Sequence, residues 1–209
     1  MMISWNGFGS YTLAAKTGEG DVTVVTNPFS RDDGPKFPRS LAASLIVTSH
    51  DGPDADNIEA VAPEYPEAKR CPFIVNHAGE FEVRGVAVAG VRAPKKDGTE
   101  HTIYRIDAEG MAIGFLGALD RPLTDKEAEA LGNIDVLIVP AGGKEVLSAG
   151  AAAEVVALVE PRLVIPSYAE DPSAFCRELS CPTESSTKLK LTRPGLPEED
   201  MKIVTLSKD

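Results

Sequence analysis

Three short segments of this chain are apolar at every position, and they restrict its fold more than any other feature. Leu45-Ile46-Val47, Val136-Leu137-Ile138-Val139 and Leu163-Val164-Ile165 are too brief for helices and lack the apolar–polar alternation of a strand with one wet face. Successive strand side chains point to opposite faces, so an unbroken apolar run implies that both faces are covered. Each run ends abruptly in polar, proline or glycine residues, which places loops at the strand ends.

The remaining punctuation fills in the layers. Ile3-Ser4-Trp5, Tyr11-Thr12-Leu13-Ala14 and Val22-Thr23-Val24-Val25 read as strands separated by glycine-bearing turns, and 27–40 as a long irregular loop with three prolines. Residues 80–91 alternate, and the phase shift at Gly85 predicts a bulge or bend in one long strand. Segments 102–106 and 111–116 predict an antiparallel pair joined at Ala108-Glu109-Gly110. Thr124-Asp125-Lys126-Glu127 is a capping box opening a helix, with Gly132 as its stop. A second helix is expected over 148–160 with Val155, Leu158 and Val159 on its apolar face, a short one over 172–179, and last strands near Leu189 and Ile203. Many strands followed by strand–helix–strand–helix define an α/β (α+β) chain, read as a single domain over 1–209.

Charge narrows the partners. Lys plus Arg total 21 against 32 Asp plus Glu, a formal charge of −11. That field repels phosphate backbones and anionic lipid, so neither nucleic acid nor membrane is an expected partner. The opening Met1-Met2-Ile3-Ser4-Trp5 has no basic stretch leading into a long apolar one, so no signal peptide is expected; nor does any run approach a spanning helix. A cytoplasmic location is the expectation. Cys71, Cys176 and Cys181 form no C-x-x-C; Cys176 and Cys181 lie close enough for a local disulfide or half a metal site, but incidental thiols are the plainer account.

Seven segments, taken in order, resemble the metallo-β-lactamase superfamily. They are Ile3-Ser4-Trp5-Asn6-Gly7, Val24-Val25-Thr26-Asn27-Pro28-Phe29, Ile46-Val47-Thr48-Ser49-His50-Asp51, Gly79-Glu80-Phe81-Glu82-Val83, Phe115-Leu116-Gly117-Ala118-Leu119, Asp135-Val136-Leu137-Ile138-Val139-Pro140 and Val164-Ile165-Pro166-Ser167-Tyr168. The branch they look most like is the metal-dependent hydrolases similar to L-ascorbate-6-phosphate lactonase. The resemblance implies a four-layer αβ/βα sandwich with its site at one edge of two facing sheets. It also implies one or two zinc ions, held by a His-x-His-x-Asp-His loop, a His after a middle strand, a bridging Asp and a late His.

This sequence departs from that pattern at most ligand positions. His50 and Asp54 stand at the first His and the Asp, whereas Gly52 and Ala55 replace the other two His. Arg92-Ala93-Pro94-Lys95 offers no His, Ala118 takes the place of the bridging Asp, and Tyr168 that of the late His. Phe8 stands where the branch has His, and Asn27 where it has Asp. The whole chain contains three His, fewer than a dinuclear centre of the family consumes. Asp51, Asp54 and Asp56 together could hold a hard cation, although turns and helix caps use Asp equally. His77 and His101 are expected at the surface, Asp120 two residues beyond the bridging position, and Gly142-Gly143 in a plain turn.

The expectation is therefore a metallo-hydrolase fold without its zinc site, with no catalytic residue and no cofactor. It would bind a small molecule or a protein through a vestigial pocket of Asn27, His50, Asp51, Asp54, Asp56, Ala118 and Tyr168. The alternative is a metal-dependent hydrolase with a rearranged mononuclear site around His50 and Asp54, holding one divalent metal (Zn, or Mg/Ca). A structural subunit of a homo-oligomer is the third reading.

Overall fold

The computed structural model describes residues 1–68, 71–169, 171–179 and 183–208. Strands β1 (Met2–Gly7), β2 (Ser10–Thr17) and β3 (Gly20–Thr26) open the chain as an antiparallel meander. β4 (Ala42–Ala43), β5 (Leu45–Val47), β6 (Ala62–Pro63) and β7 (Phe73–Val75) follow, with β5 and β7 running parallel to β3. β8 (Gly79–Val83), β9 (Val86–Arg92), β10 (Thr102–Ala108) and β11 (Met111–Phe115) form a second meander. Helix α1 (Asp125–Leu131), β12 (Val136–Pro140), α2 (Ala149–Val159), β13 (Leu163–Ser167) and α3 (Ser173–Glu178) then alternate. β14 (Thr183–Ser186), β15 (Lys188–Lys190) and β16 (Lys202–Leu206) complete the described elements.

These strands make two main sheets. One has the order β15-β1-β2-β3-β5-β7, the other β14-β16-β13-β12-β11-β10-β9-β8. The all-apolar segments are explained by what lies on each face. In β12, Val136 and Ile138 point into the core between the sheets, while Leu137 and Val139 point at the helices. β13 divides in the same way, with Leu163 and Ile165 between the sheets and Val164 under the helices. Leu45 and Val47 of β5 also enter the intersheet core, and Ile46 packs outward on Val25, Ala43 and Val61. Burying one such aliphatic side chain contributes about 1.5–3 kcal/mol, so a polar residue on either face would be costly.

The expected sandwich is the observed architecture, with a thin cover over the first sheet. α1, α2 and α3 pack on the second sheet through residues such as Leu131, Ala152, Val155 and Phe175. Outside the first sheet, Phe37, Leu41 and Ile58 supply the cover from the 27–41 loop and a single 3-10 turn at Ile58–Ala60.

Three local expectations are corrected. Gly85 marks no bulge: Arg84 (φ 52°) and Gly85 (φ 79°) form a two-residue turn joining β8 to β9. Two successive positive φ values match the twist of a hairpin, which explains the glycine. The apolar face of α2 is rotated from the expected one, with Ala152, Val155 and Val156 buried and Leu158 42% exposed. His101, expected at the surface, is only 2% exposed. The capping box of α1 forms as expected, with Thr124 Oγ1 accepting from Glu127 N and the Glu127 carboxylate accepting from Thr124 N. Cys71 is exposed and Cys176 buried; Cys181 lies outside the described residues, so the Cys176–Cys181 pairing does as well. No described helix is long and apolar enough to cross a membrane.

Candidate functional site

The site gathers at the carboxyl ends of strands, where loops leave the buried layers. Asn27 follows β3, Ser49 and His50 follow β5, Gly117 and Ala118 follow β11, and Tyr168 follows β13. Backbone bonds hold these loops together: Asn27 N donates to Val47 O at 2.9 Å, Thr102 N to Ser49 O at 2.8 Å, and Tyr168 N to Phe8 O at 3.4 Å. Asn27 (φ 36°), Phe8 (φ 47°) and Tyr168 (φ 55°) all take left-handed backbone. Non-glycine residues rarely do so, and such positions cluster where surrounding structure over-determines them.

Their side chains form one continuous relay. Asn27 donates through Nδ2 to Ser49 Oγ at 2.9 Å, and its Oδ1 accepts from Ser49 N at 2.8 Å. Ser49 Oγ lies 2.9 Å from His50 Nδ1, and His50 Nε2 lies 3.1 Å from Asp54 Oδ1. Tyr168 closes the chain by donating its hydroxyl to Asp54 Oδ2 at 2.9 Å. An ionised carboxylate only accepts, which assigns the Nε2 proton to His50; with the ring neutral, Nδ1 accepts the Ser49 hydroxyl.

Burial and pairing act against each other on Asp54. Desolvation alone would raise its carboxyl, but the His50 hydrogen bond, the charge that ring carries when protonated, and the Tyr168 phenol hold it at about 2. Burial, followed by the adjacent Asp54 charge, pushes Tyr168 well above the ordinary phenol range. The pair is thus a carboxylate and a neutral phenol across the physiological range.

Two glycines make room for Tyr168. A Cβ on Gly9 would sit 2.6 Å from its ring, and one on Gly142 would sit 1.9 Å from its carbonyl oxygen. Gly142, expected in a plain turn, is therefore a point of close backbone approach.

The other candidates are not drawn into the relay. Asp56 accepts from Gly52 N at 3.0 Å and stabilises the loop, and Asp51 is exposed. Ala118 is buried and brings no donor. Asp120 accepts from Lys96 N at 3.0 Å, and His77 is exposed beside Asn76.

Sequence reasoning missed Ser49 and misplaced His101. Ser49 was findable, since it sits between the strand end and His50; nothing local in the sequence signals the burial of His101. The His101 ring stacks on His50 with centroids 5.6 Å apart, and neither of its nitrogens has a hydrogen-bond partner among the described residues. Burial, then the neighbouring His50, Lys95 and Arg121 charges, depress it to about 3.

The donors present do not fit a zinc centre of the kind the resemblance implies. Both His50 nitrogens face Ser49 and Asp54, and both Asp54 oxygens face His50 and Tyr168. Zinc needs three or four N, O or S ligands near 2 Å with their lone pairs directed at one point. Among the described residues, no three His, Cys, Asp or Glu side chains form such a group.

Beside the relay lies a cleft of about 710 Å³, with Trp5, Phe8 and Tyr168 among its walls. This fold, with a polar site at the strand ends, defines a class. The chain belongs to the beta-lactamase superfamily, whose domain profile matches residues 2–168. Among solved structures, a candidate Zn-dependent hydrolase of the metallo-beta-lactamase superfamily from Thermotoga maritima is similar, with a TM-score of 0.77, 25% identity, and coverage of 99% of this chain and 98% of that one. A candidate metal-dependent hydrolase from Parabacteroides distasonis has a TM-score of 0.68 at 14% identity, covering 99% of this chain and 93% of that one, and shows the fold alone. A UPF0173 protein of Pyrococcus furiosus is 43% identical over 56 residues, or 24% of this chain and 27% of that protein. The match therefore spans about a quarter of that relative's length.

Proposed function

We propose that this chain is a non-catalytic member of its superfamily, in which a hydrogen-bond relay stands in place of the metal and the cleft above Tyr168 binds a small molecule. One observation carries this reading: Asp54 is engaged by His50 on one oxygen and by Tyr168 on the other. A metal at this carboxylate would compete with partners already in place, and the His50 lone pair would first have to leave the Ser49 hydroxyl. Ala118 and Tyr168 at the expected ligand positions, and the absence of any three-ligand cluster among the described residues, support the same reading. The chemistry named for the structural relatives, metal-dependent hydrolysis, is thus not carried over to this chain.

The test is turnover of ester, lactone and phosphodiester substrates with and without added Zn²⁺. No metal-dependent hydrolysis is expected. Turnover that requires the metal and disappears in Asp54→Asn would overturn the proposal.

A second reading draws on His101. An imidazole beside His50 whose two nitrogens have no hydrogen-bond partner among the described residues could supply a third ligand to a mononuclear site with His50 and Asp54. It requires the His50 ring to turn away from Asp54. Metal titration of His101→Leu beside the wild type separates the two readings, because only this one predicts weaker binding in the variant.

A further inference from the structure

We propose that the cleft above Tyr168 is selective for a small organic cation with an apolar body, such as an aryl-alkyl ammonium or guanidinium. This deepens the ligand-binding reading above and rests on it.

The cleft holds a cation of its own. The Arg31 guanidinium carbon stands 4.9 Å from the centre of the Phe8 ring. The Phe8 ring is fixed on another side by Phe29, edge-on at 5.0 Å, and lies 6.3 Å from Tyr168. A cation within about 6 Å of a ring face is attracted by the negative π-surface. Two walls supply its counter-charge. Asp33 takes Arg31 Nε at 2.8 Å and NH2 at 2.6 Å, and Glu145 from the opposite loop takes NH1 at 3.0 Å. Without the guanidinium, what remains is an aromatic face ringed by two carboxylates, with Asp171 a third acid in the lining. Arg31 is thus a tethered occupant of a cation subsite.

An anion is less well served by the same walls. Each Arg31 nitrogen already donates to a carboxylate, so three of its five N–H groups face Asp33 and Glu145, and the first turn of α2, which opens at the cleft, is capped by Ser148 accepting from Ala151 N. Lys144 is the opposing charge on the rim. The formal charge of −11 draws cations toward the whole molecule. The cleft volume of about 710 Å³ suits a small organic molecule and exceeds what an ion alone would fill.

The chain contains one tryptophan, and Trp5 lines the cleft, so its fluorescence reports occupancy directly. The experiment titrates the whole chain with phenethylammonium, phenylacetate and 2-phenylethanol at matched ionic strength. A saturable Trp5 response to phenethylammonium, with the other two at least severalfold weaker, is expected. Arg31→Ala should tighten phenethylammonium by about two- to fivefold, because the tethered cation no longer competes for Phe8. Glu145→Gln should weaken it. Both substitutions are at a partly exposed pair, and unchanged far-ultraviolet circular dichroism verifies folding. Equal or stronger binding of phenylacetate or 2-phenylethanol would overturn the cation selectivity while leaving the cleft a ligand site. No saturable response to any of the three would overturn the ligand-binding reading along with it.

Discussion

The Tyr168 hydroxyl reaches Asp54 across 114 residues of chain and donates to its Oδ2 at 2.9 Å. That bond joins the loop after β5 to the loop after β13, and it places a phenol where the superfamily resemblance implies a histidine. A tyrosine there gives the carboxylate a hydrogen-bond donor of its own.

Tyr168→Phe keeps the ring and removes the donor. One Asp54 oxygen then loses its partner, and stability should fall by about 1 kcal/mol. The acid side also changes. Asp54 has a folded value of about 2, below its unfolded one, so its contribution is present above the unfolded value and is lost as pH falls toward 2. In Tyr168→Phe the carboxyl should titrate at higher pH and the loss begin earlier, as carbon-13 carboxyl shifts and acid unfolding would both report.

His101 predicts a different window. Its folded value of about 3 lies below the ordinary 6.5, so the unfolded chain takes the proton first as pH drops. Its contribution is fully present above 6.5, declines between 6.5 and 3, and does so by up to about 1.4 kcal/mol per pH unit. His101→Leu should lack this part of the slope and match or exceed wild-type stability at pH 5. Parallel urea titrations across that range check it; identical slopes in the two proteins would contradict the assignment.

Gly117 stands at φ 55°, and a Cβ there would lie 2.2 Å from Ser49 Oγ and 3.0 Å from His101 Nε2. Gly117→Ala combines backbone strain with a collision against the relay, so the loss should exceed about 2 kcal/mol. Gly150→Ala, where a Cβ meets nothing within 4 Å inside a helix, should be neutral or stabilising. Thermal melts of the two variants compare them directly.

Introducing superfamily-type ligands at the expected positions tests the placement of the site. Gly52 is not in the left-handed region, and its Cβ would lie 3.3 Å from Asp54 Oδ1 and 3.4 Å from His50 Cδ2. A histidine there therefore starts beside both His50 and Asp54. Tyr168→His suits the φ of 55°, since histidine tolerates left-handed backbone better than most residues. The tight points are Ala55 and Ala118, at 0% and 2% exposure. Gly52→His, Ala55→His, Ala118→Asp and Tyr168→His combined should bind Zn²⁺ measurably by calorimetry where the wild type does not. A folded quadruple variant with no gain would show that the loop after β5 no longer follows the superfamily course.

What the sequence disclosed follows from how local each signal is. The apolar runs at Leu45, Val136 and Leu163 are readable because burial on both faces leaves no polar position to confuse the pattern. The capping box at Thr124 is readable because both of its bonds lie within four residues. Gly85 misleads because a two-residue turn and a bulge shift the alternation in the same way. Leu158 misleads because the phase of α2 depends on how it seats on β12, which one helix cannot report. His101 is decided by Gly117, Ser49 and His50, three residues from other elements, and no local pattern carries that information. Which residues stand at the expected ligand positions could be read from the resemblance; that Asn27, His50, Asp54 and Tyr168 join into one relay through Ser49 could be seen only in three dimensions.

Zinc content tests the central claim most directly. Protein purified without added metal and dialysed should contain well below one equivalent of zinc per chain by elemental analysis, and chelator should leave its melting temperature unchanged, because no metal-binding free energy contributes to folding. Stoichiometric zinc that survives dialysis, with a melting temperature that falls when chelator removes it, would contradict the account.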